Sequence, residues 1–222
     1  MRAVIFELWE TLIDWPREES EAHYEALAEA FGVAPDRFRD VWIGDRPSRE
    51  TGSLADAVRA LSATLEVDDV DVDAVVALRR EFSRSAIHPR PGVVETLKEL
   101  RRRGYRIGLI SVCSEDVPDV WPETELDGLF DATVFSCSVG LAKPDRRIYE
   151  LACEQLGVEP GDAVFVGDGA NDELRGAERA GLKAVLILRP GEDEPPWEDA
   201  RGWQPRITSI PEILDLLEEE PC

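Results

Sequence analysis

Several features are scarce in this 222-residue chain. No apolar run approaches the roughly 20 residues that a membrane-spanning helix needs, so no membrane partner is expected. The first apolar stretch begins without a basic leader, which gives the expectation of a cytoplasmic protein. Cys113, Cys137, Cys153 and Cys222 show no Cys-x-x-Cys pairing and read as reduced thiols. Two histidines, His23 and His88, lack triad companions and read as ordinary surface or hinge residues. With no histidine at a suggestive spacing, Cys113 reads as packing rather than as a nucleophile. Lysine is confined to Lys98, Lys143 and Lys183, the other cations being arginine, so a lysine within a motif stands out. Internal repeats and low-complexity tracts are absent.

What is abundant is negative charge. With 47 acidic residues against 25 basic ones, the formal net charge is −22. A nucleic-acid backbone would meet a repulsive field, which excludes that partner class. A heavily solvated acidic surface accounts for most of this charge. Hydrophobic residues make up 43% of the chain, enough for a packed core. The length suits one large domain or a core with a smaller insert.

Short β-branched runs alternate with amphipathic segments, the pattern of a parallel sheet covered by helices. Strands are expected at Ala3–Leu8, Arg106–Ser111, Ala132–Phe135, Ala163–Val166, Ala184–Leu188 and, weakly, near Ile207. Helices are expected at Gly92–Arg103, Arg146–Leu156, Glu173–Ala180 and Ile210–Glu219. Val93, Leu97 and Leu100 repeat at helical spacing, with Gly104 at the stop. Residues 14–90 break the alternation and read as helices throughout: Glu18–Phe31, Pro35–Trp42, Ser53–Leu65 and Asp71–Ser85. Prolines at 89 and 91 oppose helix continuation and mark a stiff return to the core. The stretch Arg189–Pro205 reads as a surface loop with Trp197 and Trp203 packed beneath it.

Polar signals sit where these strands end, the usual place for functional loops in a parallel sheet. Glu7 closes an apolar strand and is followed by Trp9, Glu10 and Thr11. Ser111 ends the second strand and could donate a hydroxyl to a phosphoryl oxygen, although a strand-end serine is ordinary in itself. Lys143 precedes Pro144 and could supply a compact cation to the same group, or be a solvated lysine before a helix. The loop Gly167–Glu173 gathers Asp168, Asp172 and Glu173. Acids in a helix's first turn favour its dipole by ~0.3–1 kcal/mol, which accounts for Asp172 and Glu173 better than for Asp168. Carboxylates converging on one lysine would repel without a further cation, and an oxygen-only donor set selects Mg²⁺ over zinc.

These segments, in this order, resemble the four motifs of the haloacid dehalogenase-like (HAD) phosphohydrolases. Two further stretches carry the likeness: Lys143-Pro-Asp-Arg-Arg-Ile-Tyr149, and the Gly-Ala-x-x-Ala-Gly pattern over 176–181. The resemblance implies an α/β fold: a Rossmann-like parallel sheet with helices on both faces, residues 1–13 and 91–222. A helical cap, residues 14–90, would follow the first strand. It also implies a hydrolase that cleaves small phosphorylated metabolites through an acyl-phosphate. Glu7 would be the nucleophile, Ser111, Val112 and Lys143 would hold the phosphate, and Asp168 would complete the catalytic set. Mg²⁺ would be held by Glu7, the Trp9 backbone carbonyl, Asp168 and Glu173, with Asp172 the alternative to Glu173. The family pattern has Asp-x-Asp-x-Thr in its first motif, so Glu7 and Trp9 are departures. One extra methylene displaces the attacking oxygens, and Trp9 cannot act as a general acid, so weakened activity is expected. Glu10 lies one position too far along to replace that acid without a bend in the loop. A catalytically silent binder and a 2-haloacid dehalogenase are the other readings. An aromatic at the second position suits the dehalogenase, and the acidic 167–173 loop speaks against it.

Overall fold

The structure, a computed structural model, describes residues 1–189 and 191–219. Cys222 lies outside the described residues.

Six strands form one parallel sheet: β1 (Ala3–Phe6), β2 (Arg106–Ser111), β3 (Ala132–Phe135), β4 (Ala163–Gly167), β5 (Lys183–Ile187) and β6 (Arg206–Ile207). Their order is β3-β2-β1-β4-β5-β6. Side chains of successive strand residues point to opposite faces. Val4 and Phe6 accordingly enter one core cluster, and Ala3 and Ile5 the other. This doubly wound order reverses direction between β1 and β4, where such sheets open a crevice beyond the strands' carboxyl ends.

The helices are, in chain order, α1 (Arg17–Phe31), α2 (Pro35–Gly44), α3 (Arg46–Glu50), α4 (Leu54–Thr64), α5 (Val72–Ala86), α6 (Val93–Arg102), α7 (Asp116–Val120), α8 (Ser136–Val139), α9 (Arg146–Leu156), α10 (Glu173–Arg179) and α11 (Ile213–Glu219). Val93, Leu97 and Leu100 of α6 pack on one sheet face beside Ile213 and Leu217 of α11. Ile148, Tyr149, Ala152 and Leu156 of α9 cover the other with Leu174 and Ala177 of α10. The expected strands and helices are present, with ends displaced by a few residues at most. The short helix α3 was not expected, because Arg-Pro-Ser-Arg-Glu carries no apolar periodicity.

Helices α1–α5 stand between β1 and α6 and own a separate core of Leu27, Phe31, Phe38, Trp42, Leu54, Leu61 and Val75. Ser53 and Asp71 cap α4 and α5 by accepting from Asp56 N and Ala74 N. The unit leaves and rejoins the sheet through adjacent chain segments, bridged at Ile13 and Pro89. A run of charged contacts ties α5 to α7 and the turn after it. Arg79 reaches Asp116 at 2.9 Å, Arg80 reaches Asp119 at 2.6 Å, and Arg84 reaches Glu123 at 2.7 Å. Asp116 is fully buried and also accepts from Ser83 and Ser114. Among the described residues no helix is long and apolar enough to cross a membrane.

Candidate active site

β1 delivers Glu7 to the switch point. Its backbone N–H still donates to the Val166 carbonyl at 2.9 Å, which keeps it in register with β4. The Glu7 side chain is buried, with Lys143 Nζ 3.1 Å from Oε1. The same ammonium lies 2.6 Å from Glu173 Oε2, so one lysine bridges two carboxylates. Burial pushes the Glu7 carboxyl up to about 8; Lys143 opposes this, and Glu173 and Asp168 add to it. Burial also works against the Lys143 ammonium, yet Glu173 and Glu7 together lift it above the ordinary lysine range. Glu7 Oε2 is buried with no hydrogen-bond partner.

The acidic loop owes its shape to two consecutive left-handed residues, Asn171 (φ 54°) and Asp172 (φ 57°). Asparagine and aspartate tolerate that conformation better than other side-chain-bearing residues. The turn sends neighbouring acids in opposite directions. Glu173 points inward, is 1% exposed, and accepts from Gly169 N at 3.0 Å. Its carbonyl accepts from the Tyr149 hydroxyl at 2.8 Å. Asp172 points outward to Arg179 at 2.9 Å and Arg175 at 4.0 Å. Of these two alternatives, the geometry brings Glu173 to the site and leaves Asp172 outside the cavity lining. Gly167 makes this possible, since a β-carbon there would overlap the Glu173 carboxylate.

Asp168 follows β4 and sits across from Glu7. Its Oδ1 accepts from Ala170 N at 3.1 Å; its Oδ2 accepts from Trp197 Nε1 at 3.1 Å and from Arg189 Nη2 at 3.4 Å. Trp197 is therefore more than the packing residue expected from the sequence. A half-buried indole N–H needs an acceptor, and that requirement was the available signal. Trp203 does pack as expected and donates to the Ala184 carbonyl at 3.2 Å.

The first-motif departures have clear positions. Trp9 stacks edge-on against Trp15, ring centroids 5.0 Å apart, and forms cavity wall. Glu10 adopts φ 56°, so the bend that would carry it toward the site is present. Its carboxylate reaches the cavity but is surrounded by Arg17 (3.0 Å), Arg189 (3.3 Å) and Arg90 (3.4 Å). Ser111 is fully buried at the end of β2, its hydroxyl without a partner. Val112, Cys113 and Ser114 line the cavity, and Ser111 lies behind that floor. The cysteines Cys113, Cys137 and Cys153 are buried and free.

His23 is a correction. It is buried against Phe82, rings 4.4 Å apart, with Nε2 3.1 Å from Arg79 Nη1. Burial and the adjacent guanidinium push it down to about 3, so it stays neutral. Its place on the buried side of α1 was not recognised because one histidine contributes little to an apolar stripe. His88 is exposed.

The cavity between sheet and helical unit measures about 590 Å³, within the ~300–1,000 Å³ usual for small-molecule sites. Glu7, Glu10, Lys143, Asp168 and Glu173 make its floor, and Trp15, Tyr24, Trp42, Arg49 and Arg79 face them from the helical unit.

Among the described residues, no group of three or more His, Cys, Asp or Glu side chains is arranged to hold a metal. Mg²⁺ commonly binds through one or two carboxylates and keeps several waters. The unpartnered buried oxygen of Glu7, with the Asp168 carboxylate near enough to raise its proton affinity, fits that smaller donor set. Glu173, occupied by Lys143 and Gly169 N, would act as a support for the lysine.

The comparisons agree with this fold. A family model described as haloacid dehalogenase-like hydrolase matches residues 1–181. A glyceraldehyde 3-phosphate phosphatase of Methanopyrus kandleri is 33% identical over 152 residues, 67% of this chain; the chain spans 64% of that relative's length. Phosphoglycolate phosphatase 1 of Pseudomonas aeruginosa is 32% identical over all of this chain and 79% of its own. The crystal structure of a HAD phosphatase from Thermococcus onnurineus superposes with a TM-score of 0.71 over the full length of both chains, at 24% identity. A match over 1–181, together with a one-third-identical relative covering the whole chain, places this protein in the haloacid dehalogenase-like hydrolase family.

Proposed function

We propose that this hydrolase cleaves a small phosphomonoester, with residues 14–90 acting as a cap over a core of residues 1–13 and 91–222. The observation carrying the reading is the Glu7–Lys143–Glu173 bridge, which sets one carboxylate and one buried cation at the floor of the cavity. Once Glu7 has given its proton to solvent, one of its oxygens attacks phosphorus, the bond to the leaving oxygen breaks, and an acyl-phosphate forms on Glu7. Water then hydrolyses it, releasing phosphate. Lys143 neutralises the negative charge that builds on the phosphoryl oxygens and keeps the Glu7 carboxylate in place. Val112, which lines the same cavity as Lys143, offers backbone rather than side-chain contact to the phosphate, and the unpartnered Ser111 hydroxyl at the end of β2 is a donor still free for it. Bound Mg²⁺, held by Glu7, Asp168 and the Trp9 carbonyl, would supply Lewis-acid stabilisation of the same charge.

Trp9 leaves the departing oxygen without a proton donor, so substrates with acidic leaving groups should turn over best. The same residue favours a second reading, a silent binder that holds a phosphorylated ligand without turnover. Hydrolysis of an aryl phosphate with and without Mg²⁺, compared between this chain and Glu7→Asp, separates the two. Returning the carboxylate by one methylene should raise the rate about 10-fold or more, since ~1 Å of misplacement costs on the order of 10²-fold. If the Asp variant is no faster, the silent-binder reading becomes the better one.

A further inference from the structure

The cavity is lined by the aromatic side chains of Trp9, Trp15, Tyr24, Trp42 and Trp197. Three of these rings already carry a cation. The guanidinium carbon of Arg49 lies 3.8 Å from the Trp42 centroid, that of Arg39 4.9 Å from Tyr24, and that of Arg189 5.9 Å from Trp197. Trp42 is also stacked on Phe38 and almost fully buried, so it belongs to the core of the helical unit. Trp9 and Trp15 are arranged differently. They stand edge-on to each other with centroids 5.0 Å apart, and Phe82 backs Trp15 at 5.7 Å. Both lie on the segment that leaves β1, ahead of α1. Both are half-buried, so part of each ring remains open in the cavity that it lines. An apolar surface kept open inside a polar cavity gains by being covered with an apolar group, and a flat ring adds the preferred edge-on or offset contact with an indole.

The chemistry of Trp9 points to the same kind of group. An indole cannot protonate a departing oxygen, so the leaving group has to carry its negative charge away unaided. A phenol ionises at about 10, whereas an aliphatic alcohol holds its proton nearly as firmly as water, at about 16. Phenolate is therefore much the better leaving group at this site. We propose that the Trp9–Trp15 pair is an aryl subsite and that the substrate class is the phosphomonoester of a phenol. The ring packs on the two indoles while the phosphoryl group sits at Glu7 and Lys143. The bond between phosphorus and the phenolic oxygen breaks, the phosphoryl group passes to Glu7, and the phenolate keeps the electron pair and takes its proton from solvent. Tryptophan at position 9 thus removes the proton donor and supplies a wall for the leaving group that needs none. This assignment rests on the phosphomonoester reading above.

Binding is tested with inert phosphonates, in which a methylene replaces the bridging oxygen. Calorimetric affinities of benzylphosphonate, cyclohexylmethylphosphonate and methylphosphonate would be measured in Mg²⁺ buffer. Benzylphosphonate should bind roughly threefold to tenfold tighter than its saturated counterpart, the gain expected of an aromatic pair. Trp15→Leu should erase that preference while leaving methylphosphonate affinity unchanged, and Trp15→Phe should retain part of it. Turnover is tested with phenyl phosphate against benzyl phosphate, which carries the same ring on an alkoxide leaving group. Phenyl phosphate should show a kcat about 100-fold higher or more at similar KM, the usual contribution of the missing general acid. Equal affinities for benzylphosphonate and cyclohexylmethylphosphonate would overturn the aryl subsite, whether or not Trp15→Leu folds, and leave the phosphomonoester reading standing. Equal kcat for the two esters would overturn the assignment to phenol esters. Turnover of neither ester by a chain that binds benzylphosphonate would overturn the substrate class in favour of the silent binder. Absence of binding by all three phosphonates would overturn the phosphomonoester reading and the subsite with it.

Discussion

Replacing Glu7 by glutamine isolates the electrostatic cost of placing a carboxylate on the cavity floor. The side chain is 6% exposed, and one of its oxygens has no hydrogen-bond partner. Its carboxyl stands at about 8 in the folded chain against an ordinary value of 4.5. Below pH 4.5 the group is protonated whether the chain is folded or unfolded, and it costs nothing. Between the two values the unfolded chain ionises and the folded one does not, so stability falls as pH rises. Above about 8 the full penalty is present. The slope across that window is up to about 1.4 kcal/mol per pH unit. Glutamine resembles the neutral acid and carries no such term. Glu7→Gln should therefore match the natural chain near pH 4.5 and become progressively more stable than it toward pH 8, by several kcal/mol on the order of that slope. Urea unfolding of both chains at pH 5, 6, 7 and 8, with divalent ions chelated, reads the difference directly. A difference that does not change with pH would refute the argument, because it would mean that Glu7 is ionised alongside Lys143 throughout.

Three further outcomes are expected. Mg²⁺ should raise the melting temperature of the natural chain, since an ion that binds only the folded state stabilises it, and Asp168→Asn should remove most of that shift. Differential scanning fluorimetry across millimolar Mg²⁺ checks this. Lys143→Met leaves Glu7 and Glu173 facing each other without their shared cation, a broken buried pair that typically costs ~3–5 kcal/mol. Chemical denaturation at pH 8 should show that loss, and at pH 5 a smaller one, as the carboxyls protonate. Asp116→Asn removes the charge that holds Arg79. It should expose the junction of α5 and α7 to hydrogen exchange while the exchange of β1 and β4 stays unchanged.

The fold was legible because its signals are redundant. Each strand is a short apolar run, and the helices of the core carry stripes such as Val93, Leu97 and Leu100. The carboxyl ends of β1 and β4 were legible because their acids, Glu7 and Asp168, come in order with the other motif segments; an acid closing an apolar strand is ordinary by itself. Residues reaching the site from a distance were harder to see. Arg189 and Trp197 lie on an irregular stretch with no periodicity to fix their direction, and Arg49 lies on a helix too short to show a stripe. The choice between Asp172 and Glu173 depended on two left-handed residues, and backbone handedness at Asn171 and Asp172 has no one-dimensional signature. Ser111 was placed at the correct strand end, but period-two alternation could not say whether its hydroxyl stands on the cavity floor or behind it.

The contacts between α5 and α7 and the turn after it differ in how deeply they are set, and this decides how they respond to dissolved ions. Arg79–Asp116 is sealed from solvent, whereas Arg80–Asp119 and Arg84–Glu123 stand in water with side chains about half exposed. Dissolved ions weaken the outer two and scarcely reach the inner one. Ionic strength therefore acts on the two outer contacts and leaves the buried one in place. In dilute buffer three charged contacts tie α5 to α7 and the turn after it; in concentrated salt Arg79–Asp116 is the one of the three that keeps its strength.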